Sequence, residues 1–412
     1  MGDIVFTGIG VISPLGVGRT RFWEACRKGR SGIKRITAFD TSPFRSNLAC
    51  MVEDFDPAQF VPPSVYRRMS RISRMAVASS VEALADSGLD LEALDKDRVG
   101  VVLGTSYGSS GHVDDFYVSL LKGGPRGAQP FLFPETVPNA PTSHIAIFQG
   151  ITGPNSTFCH NEISAETAML YAQNLLLHHL VDVVLVGGAE ELSPMLFSCY
   201  DALGVLQSAE GDHGDPVRPK LNGGIILGEG AATLIMERRD FALQRGARIY
   251  GELSSGVVTG GASAMGHYET TGHQMRRAIL SALELAHLTP DDIDQVDVSA
   301  NFSGELDLLE YEQIVAVFGK RKAELAVTPL KYLIGDFGGA GALRTAATLL
   351  SLHQQSPLPT VTAETLQGLP GRTLHWTVLE KARLNATLMI SSTYGGASAG
   401  LVFTRHQENE SS

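Results

Sequence analysis

The stretch GPNSTFCHNEISAETAMLYAQNLLLHHLVDVVLVGGAEE, residues 153–191, decides the fold. Residues 155–160 read as a short strand, and residues 161–165 make an abrupt entry into a helix that runs through Met169 and Ala172 to about His179. Residues 181–186 follow as a buried strand closing on Gly187-Gly188. A strand that turns sharply into a helix leaves the turn residue's side chain at the helix N-terminus, where unpaired N–H groups and the macrodipole favour negative charge. The residue at that apex is Glu162.

On either side the chain alternates helix and buried strand. Residues 71–87 carry apolar residues at helical spacing and stop at Gly88 before the apolar run 99–103; residues 274–287 precede 296–300, and 311–318 precede 325–327. Such alternation argues for an α/β fold with a mostly parallel sheet. No low-complexity linker divides the chain, so its parts are expected to share one core, with residues 406–412 as a disordered tail.

At 412 residues, 43% hydrophobic and 19% charged, the chain has the composition of a well-buried globular protein. No apolar run approaches the roughly 20 residues of a membrane span. The N-terminus MGDIVFTGIG lacks the basic and apolar regions of a signal peptide, so a cytoplasmic location is expected. A net charge of -11 leaves no global basic field for nucleic acid or an anionic membrane. Cys26, Cys50, Cys159 and Cys199 are widely spaced, without a C-x-x-C, and read as reduced, mostly buried thiols; no zinc is expected. The G-x-G at Gly8 and Gly10 is a weak dinucleotide signal, since no third glycine opens a helix behind it.

The order Gly-Pro, strand, turn, long helix, strand, Gly-Gly-Ala-Glu resembles the β-ketoacyl-carrier-protein synthases, the ketosynthases of fatty-acid and polyketide assembly, as does TGIGVISPLG at residues 7–16. The resemblance implies the thiolase fold: two pseudo-repeated α/β halves, residues 1–250 and 251–405, in a five-layered α-β-α-β-α arrangement. It places the family's catalytic cysteine at Glu162. The first catalytic histidine falls on Asn301, in Ser299-Ala300-Asn301-Phe302-Ser303, and the second on Asp336, after Lys331-Tyr332-Leu333-Ile334-Gly335. The lysine of that second segment is retained as Lys331. In the pocket-closing loop, residues 392–396, Thr393 stands where the family has a gating glycine, and residues 218–224 are shorter than their counterpart and lack its arginine-aspartate pair. Gly228-Glu229-Gly230-Ala231 is kept.

Acyl transfer from a thioester to Glu162 would give a mixed anhydride, more reactive than its source, with no histidine at the two family positions to manage the charge. Glu162 is therefore expected to cap its helix and prop an emptied site. Moving the nucleophile to Cys159 would need a register shift that reverses inward and outward faces, so Cys159 is expected to be buried and unreactive. His160 reads as a hydrogen-bonded scaffold residue, and His178 and His179 as the end of a helix.

Within the family this profile resembles the chain length factors, the non-catalytic β subunits of type II polyketide synthases. Glu162 in place of their commoner glutamine fits subunits of highly reducing, polyene-type systems. The implied partners are a catalytic ketosynthase subunit, with which the chain forms a heterodimer sharing one substrate tunnel, and an acyl carrier protein with its phosphopantetheine-bound acyl chain; no cofactor is implied. Phe131, Leu132 and Phe133, in residues 130–149, are candidates to reach the partner's tunnel. Ser110, Val113 and Tyr117 share one face of a helix over residues 110–122 and would line that tunnel. Arg67 and Arg68 match a basic position by which ketosynthases hold acidic carrier proteins. Two other readings remain open: an enzyme using Glu162, Asp336 and Asn301 for decarboxylation, hydrolysis or acyl transfer on carrier-bound thioesters, and an acyl-binding scaffold homodimer.

Overall fold

The computed structural model describes residues 3–208, 219–264, 266–319, 325–360 and 383–406. The first half holds β1 (Ile4–Ser13), α1 (Arg71–Ser87), β2 (Val99–Gly104), α2 (Ser110–Gly127), α3 (Ala140–Gln149), β3 (Asn155–Phe158), α4 (Ser164–Leu177), β4 (Val183–Glu190), α5 (Pro194–Leu203) and β5 (Gly230–Arg238). The second holds β6 (Gly251–Thr259), α6 (His273–Leu285), β7 (Gln295–Asp297), α7 (Glu305–Phe318), β8 (Ala326–Thr328), α8 (Ala340–Gln354), β9 (Ala386–Ser392) and β10 (Ser398–Thr404).

Outward from the middle of the large sheet, one half runs β1-β5-β4-β2-β3 and the other β6-β10-β9-β7-β8. Both follow the same order of first, fifth, fourth, second and third strand. The repetition expected from the family resemblance is thus written in the strand order. The halves join where β1 meets β6 antiparallel, at Val5↔Glu252 and Phe6↔Gly251. The sheet is mixed rather than mostly parallel. β2 and β7 pair in parallel with their neighbours, whereas β5 and β10 run antiparallel to theirs. The turn between β9 and β10 spans five residues, too few for a parallel crossover.

α1 packs on β1 and β5, α6 packs on β6 and β10, and α4 and α8 lie between the two halves, which completes five layers. α8 is buried at every residue from Ala340 to Leu352, so its few polar side chains need partners inside the protein. Its Arg344, 0% exposed, is satisfied by four hydrogen-bonding groups: the Asp297 carboxylate and carbonyl, Ser391 Oγ at 2.6 Å and the Ile390 carbonyl at 2.8 Å. Glu166 of α4 stands 3.6 Å from the same guanidinium, so one buried ionic cluster ties α4, α8, β7 and β9 together.

α1 matches its expected span, with Ser70 capping its start and left-handed Gly88 ending it. β4 runs past Gly187-Gly188 to Glu190. A Cβ on Gly187 would lie 1.9 Å from the Ala232 carbonyl, so this glycine permits close strand packing rather than ending the strand. Gly10 has a similar role: a Cβ there would sit 1.9 Å from the Ser79 carbonyl of α1. Two other expectations are corrected. Cys26 and Cys50 are buried, but Cys159 and Cys199 are exposed; Cys159 lies just past β3, the last strand of the sheet, where no further strand covers it. His406 is not part of a loose tail: its Nδ1 lies 2.8 Å from Glu252 Oε1, while residues 407–412 lie outside the described residues.

Candidate functional site

The site forms where the turn between β3 and α4 meets three loops of the second half. Asn161 takes a left-handed φ of 46°, a conformation asparagine tolerates, and this swings the chain through one turn of 3-10 helix, Asn161–Ile163, into α4. Glu162 is thereby carried inward and is only 6% exposed. Its Oε2 accepts a hydrogen bond from the Thr393 hydroxyl, in the turn between β9 and β10. Glu162 therefore clamps the two halves to each other, a role beyond the helix cap expected for it. Burial first, then repulsion from Asp336, pushes its carboxyl above the ordinary glutamate value, against the Thr393 hydrogen bond and the Lys331 charge.

Asp336 is positioned by its own backbone, which donates to Ile226 O at 2.8 Å and accepts from Gly228 N at 3.1 Å. The one-turn helix Lys331–Ile334, followed by left-handed Gly335, folds Lys331 back over it. Lys331 Nζ donates to Asp336 Oδ1 at 2.6 Å and Asn301 Nδ2 donates to Asp336 Oδ2 at 2.6 Å. Asn301 Nδ2 also reaches Tyr268 Oη at 3.0 Å. All three of these family positions are almost wholly buried, Lys331 and Asn301 at 1% and Asp336 at 4% exposure.

Behind Asn301, Asp307 Oδ1 accepts from Asn301 N at 2.9 Å and Asp307 Oδ2 accepts from Tyr332 Oη at 2.7 Å. Burial raises the Asp307 carboxyl to about 6 despite those bonds. Phe302 holds an unusual φ of 71° and stacks on the Tyr332 ring at 3.8 Å. Glu310, one turn along α7, accepts from the Ser299 N–H at 2.8 Å and hydroxyl at 2.7 Å, and burial lifts it to about 7.

On the first-half side, Glu190 ends β4 and accepts from Thr105 Oγ1 at 2.9 Å, Ser106 N at 2.6 Å and Tyr107 N at 3.2 Å; burial raises it to about 7. Glu191 accepts from Ile72 N at 2.8 Å and Gly111 N at 2.7 Å, serving the first turns of α1 and α2 together. Sequence reasoning met Glu190 only as the last residue of the Gly-Gly-Ala-Glu motif and gave neither carboxylate a role. The signal was available in two consecutive acidic residues at the end of an otherwise apolar strand, where only hydrogen-bonded carboxylates can stay.

The space left among Glu162, Glu190, Asp336, Tyr107, Tyr200 and the surrounding Leu192, Leu196, Leu227 and Phe337 is a cavity of about 20 Å³. That is room for roughly one water. No thiol or imidazole faces it among the described lining residues. Cys159 does not join the site, and His160 Nδ1 is bound to Thr167 Oγ1 at 3.2 Å as a scaffold contact.

The remaining candidates fall elsewhere. Ser110 is buried with its hydroxyl unpaired, Val113 is half-buried and Tyr117 is 55% exposed, so their shared face of α2 runs from core to surface. Phe131 and Phe133 are 71% and 59% exposed, but Leu132 is 7% exposed and turned into the core, which removes it from any outward-reaching set. Phe116 of α2 lies 5.7 Å from the Phe133 ring and 5.8 Å from the Tyr117 ring, which joins the two segments, while Val118 and Leu121 are exposed elsewhere on α2. Arg67 and Arg68 are exposed beside the short helix Pro63–Tyr66. Arg218 of the shortened loop lies outside the described residues. Among the described residues no group of His, Cys, Asp and Glu is placed to hold a metal, and no helix is long and apolar enough to cross a membrane.

Residues 1–242 match the family model for the β-ketoacyl synthase N-terminal domain, and residues 250–364 match that for the C-terminal domain. A putative polyketide beta-ketoacyl synthase 1 of Streptomyces halstedii is 31% identical over 97% of this chain and 97% of its own length. The tetracenomycin polyketide synthase ketoacyl synthase alpha subunit of Streptomyces glaucescens is 30% identical over 99% of this chain and 98% of its own length. Among solved structures, the ishigamide ketosynthase/chain length factor superposes with a TM-score of 0.86 at 27% identity, over 98% of this chain and 100% of that one. With both family models matched along the length that builds the repeated halves, the chain belongs to the β-ketoacyl synthase family.

Proposed function

We propose that this protein is a chain length factor: a subunit without condensing activity of its own that pairs with a cysteine-bearing ketosynthase of a type II polyketide synthase and shapes the space for its growing acyl chain. The observation that carries this reading is the filling of the site itself. Glu162, Asn301 and Asp336, which the resemblance sets at the three chemical positions, are each hydrogen-bonded to protein groups, and the cavity that Glu162 and Asp336 line is only about 20 Å³. Ligand sites are commonly about 300–1,000 Å³. The exposed Tyr117 and Phe133, joined through Phe116, with exposed Phe131 beside them in sequence, support pairing, because a cluster of large exposed apolar side chains is a common mark of an interaction site. The similarity to the ishigamide ketosynthase/chain length factor supports a partner of the ketosynthase kind. A solved type II polyketide synthase ketosynthase, held in complex with its acyl-carrier protein, shares the fold with a TM-score of 0.86. Exposed Arg67 and Arg68 would offer such a carrier a basic contact on this subunit.

The test is reconstitution. The chain alone, incubated with acyl- and malonyl-carrier thioesters, is expected to give neither product nor an acyl adduct by intact mass, and the Glu162→Cys variant is expected to stay inactive because Asn301 and Asp336 supply no imidazole. Co-expression with a ketosynthase carrying cysteine and both histidines should give a heterodimer that condenses. An adduct on Glu162 or Cys159, or turnover by the single chain, would favour the enzyme reading instead.

Chain-length control leads to a second expected result. Val113 is half-buried on α2, so Val113→Phe has room to project along the tunnel side, whereas Ser110→Phe would overpack a buried position at a cost of roughly 1–3 kcal/mol. Val113→Phe should shorten the products of the heterodimer with normal yield of the pair. An unaltered product distribution would mean that this face of α2 does not line the tunnel.

A further inference from the structure

Two tyrosines line the small cavity beside Glu162. Tyr107, in the loop between β2 and α2, and Tyr200, on α5, meet hydroxyl to hydroxyl at 2.8 Å, with their rings at 88° and 6.4 Å apart. α5 packs against α2, and Tyr107 is 42% exposed, so the ring pair stands between the outer surface and the buried floor formed by Glu162 and Asp336. The walls around them are Leu192, Leu196, Leu227 and Phe337. Apolar walls around a polar floor of Glu162, Glu190 and Asp336 suit a linear apolar chain with a polar end, but the two tyrosine rings stand in that space.

We propose that Tyr107 and Tyr200 form a stopper that shuts an acyl-binding pocket inside this chain, so that an acyl chain cannot lie against Glu162 and Asp336. The hydrogen bond gives each hydroxyl a partner in a largely apolar setting and fixes both rings across the mouth. Ring volume provides the closure, and the hydroxyl pair holds its geometry. The tyrosines thereby determine where an acyl chain can go: the pocket of this subunit is unavailable to it. The closure is a property of the single chain and is measured without any partner, so its failure would not bear on the pairing proposed above.

The experiment titrates the isolated full chain with cis-parinaric acid, a linear polyene fatty acid whose fluorescence rises in apolar surroundings. The wild type is expected to show no saturable site in the pocket. Tyr107→Ala combined with Tyr200→Ala should bind about one probe per chain, at least ten-fold tighter than the wild type. Tyr107→Phe, which keeps the ring and loses the hydroxyl, should remain closed. Adding Leu196→Trp to the open variant should refill the pocket and abolish the new binding, which separates it from probe adsorbed on the exposed apolar face. If the double variant loses its cooperative thermal transition, Tyr200→Leu alone serves as the opened form. Equal binding by the wild type, a folded open variant that binds nothing, or binding that survives Leu196→Trp would each overturn the proposal.

Discussion

Lys331→Met is expected to destabilise the chain by roughly 3–5 kcal/mol, the usual cost of removing one partner from a buried ion pair. Lys331 Nζ, 1% exposed, donates to Asp336 Oδ1 at 2.6 Å, and its charge also counters the rise that burial and Asp336 impose on Glu162. Without it, two buried carboxylates face each other with no cation between them, and Glu162 moves further up. The sign of the pH dependence follows. A carboxyl whose folded value is raised is protonated on both sides of the unfolding equilibrium at low pH and costs nothing there. As pH climbs past its ordinary value of 4.5, the unfolded chain releases the proton first, and stability falls until the folded value is passed. The loss in Lys331→Met should therefore be smallest below about pH 4.5 and grow as the pH is raised above it in denaturant titrations. A deficit that does not change with pH would mean that Lys331 acts through packing and not through the charge of this pair.

The same site shows how far the sequence could be read. The β3–α4 turn and its apex at Glu162 were legible because they sit at fixed spacing from glycines whose backbone role the fold demands, whereas the reading of Asn301 and Asp336 as substituted histidine positions rests on the family resemblance, and what the structure adds is that the two side chains meet at 2.6 Å. The repeated halves were legible through the family resemblance, and the strand order carries them independently. The direction of β5 and β10 was not, since period and hydrophobicity are the same for a buried strand in either sense. Nor was the bond from Thr393 to Glu162, which joins residues 231 positions apart through a hydroxyl that reads in sequence as a mere loss of glycine. Leu132 was misplaced for a related reason. In Phe131-Leu132-Phe133 the chain makes a turn that leads into a 3-10 helix at Phe133, so the inward residue follows from local backbone geometry that no periodicity announces. Cys159 failed on topology: whether β3 lies inside the sheet or at its end decides the exposure of the residue behind it, and only the pairing of β2 with β3 and β4 settles that.

The apolar face of α2 and the segment before α3 gives the other large expected effect. Phe131→Asp combined with Phe133→Asp should weaken association with the catalytic subunit by at least about 30-fold, because a buried aromatic anchor at the centre of an interface is commonly worth about 2 kcal/mol or more and a carboxylate in its place must also be desolvated. On the isolated chain both rings are mostly in water, at 71% and 59% exposure, so the variant should fold with the thermal transition of the wild type, within the small change that surface substitutions bring. That contrast is what makes the result informative. The adjoining buried network, in which Glu135 Oε2 accepts from Ser70 N and Ser73 Oγ at 2.9 Å each, holds the segment's backbone in place whatever stands at 131 and 133. A monomer of normal stability that no longer pairs would fix this face as the interface and these two rings as its anchors. Sizing with the ketosynthase and without it separates the heterodimer from a homodimer, since the charge pairs introduced by aspartate would break either assembly but only one is present when the partner is left out. Undiminished pairing by the double variant would move the interface away from α2, and with it the case that Val113 and Tyr117 look into a shared tunnel.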